Sequence, residues 1–281
     1  MIKVGASATS VFAPFILMPR FFTNEQKYAT INQLHDERKG FFVRILAIDT
    51  SNQTLTVAVC EEKKIIGQYT ITVKRNHSLT LMPAITQLVK DVGLTPNDFD
   101  RIVVAQGPGS YTGLRIGVTT AKTLAYTLKK ELVGVSSLKA LAANCVEVKG
   151  LIIPVFDARR NNVYTGAYEY VEGVLTAVIA DRHIAMEEWL EQLKEFDHLY
   201  FVGEDVEKFR LQIESIIPNA EICDISQWQI PNGATLAELG RLAQPEVDIH
   251  HFLPNYLKRV EAEENWLKDH TSEVENYVEK I

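Results

Sequence analysis

From residue 44 onward, apolar positions recur first with the period of strands and then with the period of helices. Arg44–Thr50 (RILAIDT) is an apolar, β-branched run ending in Asp and Thr, and it reads as a buried strand. Leu55–Cys60 and Ile65–Val73 alternate well enough to be two further strands. The polar stretch Glu61-Glu62-Lys63-Lys64 turns between them, so the pattern predicts an antiparallel meander. Ser78–Val92 then reads as a helix, with His77-Ser78 offering a cap and Gly93 a stop. Strand Arg101–Gln106, a glycine-rich loop, helix Thr112–Leu128 and strand Leu132–Val135 follow. A helix starts at Ser137, whose hydroxyl is placed to cap it.

A second round begins at Leu151. LIIPVFDA is again an apolar strand ending in Asp, here Asp157, and it echoes ILAIDTS. Val163–Tyr170 and Val174–Ala180 read as strands, Ala185–Leu193 as a helix, His198–Val202 as a strand and Ala234–Ala243 as a helix. Two weakly similar β-β-β-α-β-α units predict a duplicated α/β fold, divided as 44–150 and 151–281. The second unit is degenerate, because it lacks a glycine-rich loop. The acidic tail His270–Ile281 is expected to be a solvated terminal helix or disordered chain.

Residues 1–43 fit neither period. SVFAPFILMP after Lys3 has the apolar run of a secretory signal, but the only A-x-A triplet, Ala6-Ser7-Ala8, precedes that run instead of following it. Glu37-Arg38-Lys39-Gly40 is what an almost pure-purine stretch would encode, and Val43 lies just beyond. The expectation is therefore a start assigned too early, with Val43 as the initiator. N-terminal sequencing of the native protein tests this, and a first residue near Met1 contradicts it.

Composition narrows the function classes. The net charge of −7 makes stand-alone nucleic-acid binding unfavourable, since that binding relies on Lys and Arg neutralising phosphates. A role on nucleic acid would need a basic partner. Cys60, Cys145 and Cys223 are far apart with no C-x-x-C, which fits a reducing cytosol. No apolar run is long enough to span a membrane.

The loop Gln106–Gly117, QGPGSYTGLRIG, is the strongest candidate for chemistry. It fits neither standard phosphate template. Gly113 is followed by Leu114 where a Walker loop needs Lys, and Gly107-x-Gly109 is followed by Thr112 where a dinucleotide loop needs glycine. The amides of Gly109 to Gly113 could form an anion nest. Alternatively, Gly107 and Gly109 supply a tight turn and Gly113 lets helix and strand approach. Asp49 invites two readings as well, a carboxylate for a metal-bound water or an acceptor for turn amides, and Asp157 repeats the choice. Ser110 lies among glycines but no G-x-S-x-G elbow is present. The seven histidines show no H-x3-H spacing, so no metal site is expected.

Two helices carry an unusual surface. Gly113, Gly117, Ala121 and Ala125 recur every four residues, which would let another backbone come close. Leu79, Met82, Ile85 and Val89 line one face of the earlier helix, and Leu81, Leu88 and Val92 widen it. That spread suggests cover on a second side, by a partner chain or by another layer of the same domain.

ILAIDTS (45–51), QGPGSYTGLRIG (106–117), GVSSLKALA (134–142) and PNYLKR (254–259) occur in this order and closely resemble the TsaB family, also called YeaZ. The resemblance runs from about Arg44 to Trp266. It implies an actin-like ATPase (ribonuclease H-like) fold and a partner, the paralogue TsaD, in forming N6-threonylcarbamoyladenosine at position 37 of tRNAs that read ANN codons. It also implies that TsaD is the catalyst, through a metal held by an H-x3-H pair. The corresponding positions here are Ser137 and Leu141, neither of which can replace a histidine ligand. By resemblance the chain is thus a cytoplasmic, non-catalytic subunit that docks on TsaD through the two helices, works with TsaE, pairs with itself when alone and meets tRNA only through the complex. ATP or ADP is expected, if anywhere, at the TsaD interface, with Asp49, Gly107, Gly109 and Ser110 as vestigial contacts. The competing reading is a stand-alone ATP-dependent kinase of the actin-like superfamily. A protease lacks any nucleophile–base set.

Overall fold

The structure is a computed structural model that describes residues 43–72 and 76–258. The leader 1–42 and the acidic tail lie outside the described residues. Two five-stranded sheets follow one another along the chain. The first holds β1 (Arg44–Asp49), β2 (Thr54–Glu61), β3 (Lys64–Thr72), β4 (Arg101–Gly107) and β5 (Glu131–Ser136) in the order β3-β2-β1-β4-β5. The second holds β6 (Leu151–Asp157), β7 (Asn162–Val171), β8 (Val174–Ala185), β9 (Leu199–Val202) and β10 (Glu221–Ile222) in the order β10-β9-β6-β7-β8. Each sheet opens with an antiparallel meander and closes with two parallel strands, β1–β4–β5 and β6–β9–β10. This is the duplicated α/β architecture expected from the sequence.

Period-2 alternation sorts the first sheet into two faces. Leu46, Ile48, Val57, Ile102 and Val104 point to one core, while Ile45, Ala47, Ala58, Val103 and Ala105 point to another. Both faces are covered, so β2 is buried along nearly its whole length. Helices α1 (His77–Asp91) and α2 (Tyr111–Leu128) cover the first face.

Two helices exchange lobes. α3 (Ser137–Ala142), which follows the first sheet, packs Leu138, Leu141 and Ala142 with Ile152, Phe156 and Tyr168 of the second. α6 (Gly233–Leu242), which follows the second sheet, returns to the first and packs Leu236 and Ala237 against Ile45, Ala47 and Val103. The simple division at residue 150 is corrected on this point. The second face of the first sheet needs apolar cover, and Gly240 of α6 permits the close approach: a Cβ there would lie 2.3 Å from Val103 Cγ1.

The helix ends also differ from expectation. Asn76, not His77 or Ser78, caps α1 by accepting the Ser78 amide at 3.0 Å. Ser136 caps α3 through the Lys139 amide at 3.0 Å, while the Ser137 hydroxyl accepts the Gly107 amide at 3.1 Å. In the second lobe α4 (Met186–Leu193) fills the place of α1, and α5 (Arg210–Ile216), behind a 3-10 turn at Glu204–Phe209, fills that of α2. α5 and the two-residue β10 are too short to leave a period in the sequence.

Candidate functional site

The glycine loop is built against the end of β1. Ser110 N donates to Ser51 O at 2.7 Å, and the Thr50 hydroxyl donates to Gly113 O at 2.7 Å. A Cβ on Gly109 would lie 2.2 Å from Ser51 O, one on Gly113 2.1 Å from Thr50 O, and one on Gly117 2.3 Å from Thr50 Oγ1. The glycines therefore serve the approach of loop and helix to the chain's own strand. The Ser110 hydroxyl caps α2 by accepting the Gly113 amide at 3.3 Å.

This packing corrects the reading of α2 as a small-residue interface. Gly113 and Gly117 are buried, and Ala121 and Ala125 have no exposed surface. Gly113 meets the Thr50 carbonyl and Gly117 the Thr50 side chain, and none of the four lies at the surface. On α1, Ile85 and Val89 are buried as well, whereas Leu79 is 74% and Met82 44% exposed. Pro83 and Thr86 continue that exposed stripe at helical spacing. An apolar groove of about 380 Å³ runs between α1 and α2, with Met82, Ile85, Val89, Leu124 and Leu128 in its wall.

Asp49 sits beneath the loop and is fully buried. Burial lifts its carboxyl above the usual range, against the Ser51 amide that donates to Oδ1 at 2.8 Å. It and Gly107 stay out of the cleft between the lobes, while Gly109 and Ser110 reach it. Asp157, at the matching strand end, does line the cleft, but Lys208 Nζ holds its Oδ2 at 2.7 Å and the Arg159 amide its Oδ1 at 2.7 Å. Burial would raise this carboxyl, yet those two contacts win and hold it below the usual range. The turn after β9 repeats the backbone of the glycine loop, with Gly203 at φ 126° and Gly107 at φ 124°. Acidic Glu204 and Asp205 follow Gly203, and carboxylates there repel a phosphate.

The cleft has a volume of about 400 Å³. Four segments distant in sequence meet in it: the β1–β2 turn at Ser51 and Asn52, the glycine loop, the β6–β7 turn and the strap 252–258. The strap is fixed by Asn255 N to Gln106 O at 2.8 Å and by Gln106 Nε2 to Leu253 O at 2.9 Å. Tyr256 stacks on Tyr111 at 4.8 Å, and Arg115 lies over the Tyr111 ring at 4.8 Å. Arg159, Arg160 and Asn161 in the β6–β7 turn all have left-handed backbones, with φ of 65°, 52° and 57°. Each non-glycine residue held there costs about 1–2 kcal/mol, and Asn162 Nδ2 secures the turn through Arg160 O at 2.9 Å. Arg159 and Lys258 are the cationic residues of the cleft wall. Sequence reasoning passed over Arg159, because a turn arginine carries no periodic signal.

At the positions of the metal pair, Ser137 and Leu141 are buried in the lobe junction. Among the described residues no group of three His, Cys, Asp or Glu side chains could hold a metal ion.

Comparison with known proteins fits this geometry. A family model described as "TsaD: tRNA N6-adenosine threonylcarbamoyltransferase" matches residues 64–266. The tRNA threonylcarbamoyladenosine biosynthesis protein TsaB of Bacillus subtilis (strain 168) is 44% identical over 225 residues, which is 80% of this chain and 98% of that protein. The chain belongs to the TsaB family. TsaB of Escherichia coli (strain K12) is 30% identical over 129 residues, 45% of this chain and 55% of its own length. YeaZ from Pseudomonas aeruginosa superposes with a TM-score of 0.64 at 22% identity, covering 76% of this chain and 100% of that one, and this likeness shows the shared fold.

Proposed function

We propose that this TsaB-family chain is the non-catalytic subunit that dimerises with TsaD and activates it for N6-threonylcarbamoyladenosine formation at position 37 of tRNAs reading ANN codons. The observation that carries this reading is the α1–α2 groove, apolar and edged by the exposed stripe Leu79–Met82. An equivalent helix pair on TsaD would bury that stripe, and each Leu- or Met-sized side chain so covered contributes about 1.5–3 kcal/mol. The buried Ser137 and Leu141 support a catalytic centre on the partner. The same groove serves a homodimer when TsaD is absent, so the two pairings compete. TsaE and tRNA then join the heterodimer in the cytoplasm, and any ATP or ADP bound at the TsaD interface belongs to the assembled complex.

A stand-alone kinase would use the inter-lobe cleft. It would need free carboxylates at the two strand ends, but Asp157 is held by Lys208 and Asp49 is buried beneath the loop. Copurification tests the docking reading. TsaD is expected to co-elute with the wild-type chain and to be lost with Met82→Glu. Retention of TsaD by Met82→Glu and by Leu79→Glu alike would move the interface elsewhere.

A further inference from the structure

A second apolar groove lies where α6 returns to the first sheet. It shares no lining residue with the α1–α2 groove or with the inter-lobe cleft. Its volume of about 780 Å³ is that of a small-molecule site. Four separate segments wall it: the β2–β3 hairpin, α3 with the turn after it, the β7–β8 hairpin and α6. Each sends one large aliphatic side chain to the rim. These are Ile65, Val146, Val174 and Leu242, all between 45% and 64% exposed. Single exposed apolar residues are ordinary, but four that converge from four segments form a patch that calls for cover. Cys60 and Leu175 are buried in the wall beneath them. Burial, with Glu238 nearby, pushes the Cys60 thiol up to about 11, so it is uncharged at neutral pH.

The charges around this groove do not cancel. Its two carboxylates, Glu62 and Glu238, both face Arg241, at 3.9 Å and 2.7 Å. Glu62 Oε1 also accepts the Val43 amide at 2.9 Å. Lys63 and Lys139 of the wall have no ion-pair partner among the described residues. Asp181, whose charge reaches Lys139, lies outside the lining and is bonded to Ser136 and Tyr168. Two carboxylates against three cations leave one positive charge for an occupant to balance. The occupant's shape follows from what the wall lacks. Among the described residues Tyr170 is its one aromatic ring, and the Tyr170 hydroxyl already donates to Ala143 O at 3.1 Å. The lining therefore suits a flexible aliphatic chain better than a planar ring. A peptide would bring an N–H and a C=O with nearly every residue, and an aliphatic rim cannot satisfy them.

We propose that this groove binds a long-chain aliphatic carboxylate, a fatty acid, with Ile65, Val146, Val174 and Leu242 covering the chain and Lys63 and Lys139 balancing the carboxylate. The proposal does not rest on the docking reading, since no groove residue belongs to α1 or α2.

The test is calorimetric titration of the delipidated full chain, without TsaD, using three probes. Dodecanoate has both features, dodecanol has the same chain without the charge, and butyrate has the same head on a short chain. Dodecanoate is expected to bind at one per chain, and the other two at least tenfold more weakly. Val174→Asp and Leu242→Asp change exposed rim residues, so both variants should fold, and each is expected to weaken dodecanoate at least tenfold. Lys63→Gln combined with Lys139→Gln is expected to weaken it by about ten- to a hundredfold, the loss typical of a charge-assisted hydrogen bond. Three results would overturn the proposal: no saturable binding of dodecanoate, dodecanol binding as tightly as dodecanoate, or affinity unchanged in both Asp variants. Self-association kept in Met82→Glu but lost in Leu242→Asp, with no dodecanoate bound, would overturn it by assigning the groove to a second copy of this chain.

Discussion

Asn255 donates its backbone amide to the carbonyl of Gln106 at 2.8 Å, and the Gln106 side chain answers by donating to Leu253 O at 2.9 Å. This pair joins the glycine loop to a strap almost 150 residues further along the chain. Lys122 Nζ adds bonds to His250 O at 2.6 Å and Phe252 O at 3.2 Å. The strap thus holds α2, and through it the helical groove, in place. Gln106→Ala removes one side-chain hydrogen bond and should cost about 1 kcal/mol. A urea unfolding curve reads this as a lower midpoint with unchanged slope.

The glycines of the loop are expected to be intolerant for a steric reason. Gly117→Ala puts a methyl group 2.3 Å from Thr50 Oγ1. Overpacking of this kind costs about 1–3 kcal/mol. Gly173→Ala is a control for space, since nothing lies within 4 Å of its Cβ position, although its φ of 78° adds backbone strain. If Gly117→Ala melts no lower than Gly173→Ala, the close approach to Thr50 is not a constraint.

Charge on α1 and α2 should act in opposite ways at exposed and buried sites. Leu79→Glu and Met82→Glu lie on exposed surface and should change stability by less than about 0.5 kcal/mol. Ala121→Glu would bury an unpaired charge at a position with no exposure, and should unfold the chain or cost several kcal/mol. Thermal melts of the three variants separate these outcomes. A well-folded Ala121→Glu would mean that α2 presents its small-residue face to solvent.

These contrasts mark what was legible in the sequence. The apolar runs ILAID and LIIPVFD gave each sheet its first strand, because one period fixes which side chains share a face. The fourfold spacing of Gly113, Gly117, Ala121 and Ala125 points to a close approach, which Gly113 makes to the Thr50 carbonyl, but spacing carries no address. The approaching backbone is Thr50, brought in by β1 pairing with β4. Ile85 and Val89 were indistinguishable from Met82 by hydropathy, and only the packing of α1 on the sheet divides them into floor and rim. The cleft was visible only in pieces, because Arg159, Tyr111 and Lys258 are brought together by strand order and by the strap. The exchange of α3 and α6 between lobes left no trace in periodicity at all.

A half-buried carboxylate spans the lobes and gives a pH signature. Asp181 of β8 accepts the Ser136 hydroxyl at 2.5 Å and the Tyr168 hydroxyl, and burial raises its carboxyl despite them and the nearby Lys139. The unfolded chain releases this proton first, so between the ordinary carboxylate value and the raised folded one the native state binds more protons. Stability from this group is present below that window and falls as pH rises through it. Asp181→Asn removes the titration. The stability of wild type minus that of Asp181→Asn should therefore decline from pH 4 upward in paired denaturation curves. A difference that is flat or rises with pH would contradict the raised value.

The central claim is that this chain works by docking on TsaD. The most direct measurement is threonylcarbamoyl transfer to tRNA in a mixture of this chain, TsaD, TsaE, threonylcarbamoyl-adenylate and tRNA, with each protein omitted in turn. The account predicts no transfer by this chain alone, transfer by TsaD only when this chain is present, and loss of that transfer with Met82→Glu. Turnover by the isolated chain, or full activity of TsaD without it, would contradict the account.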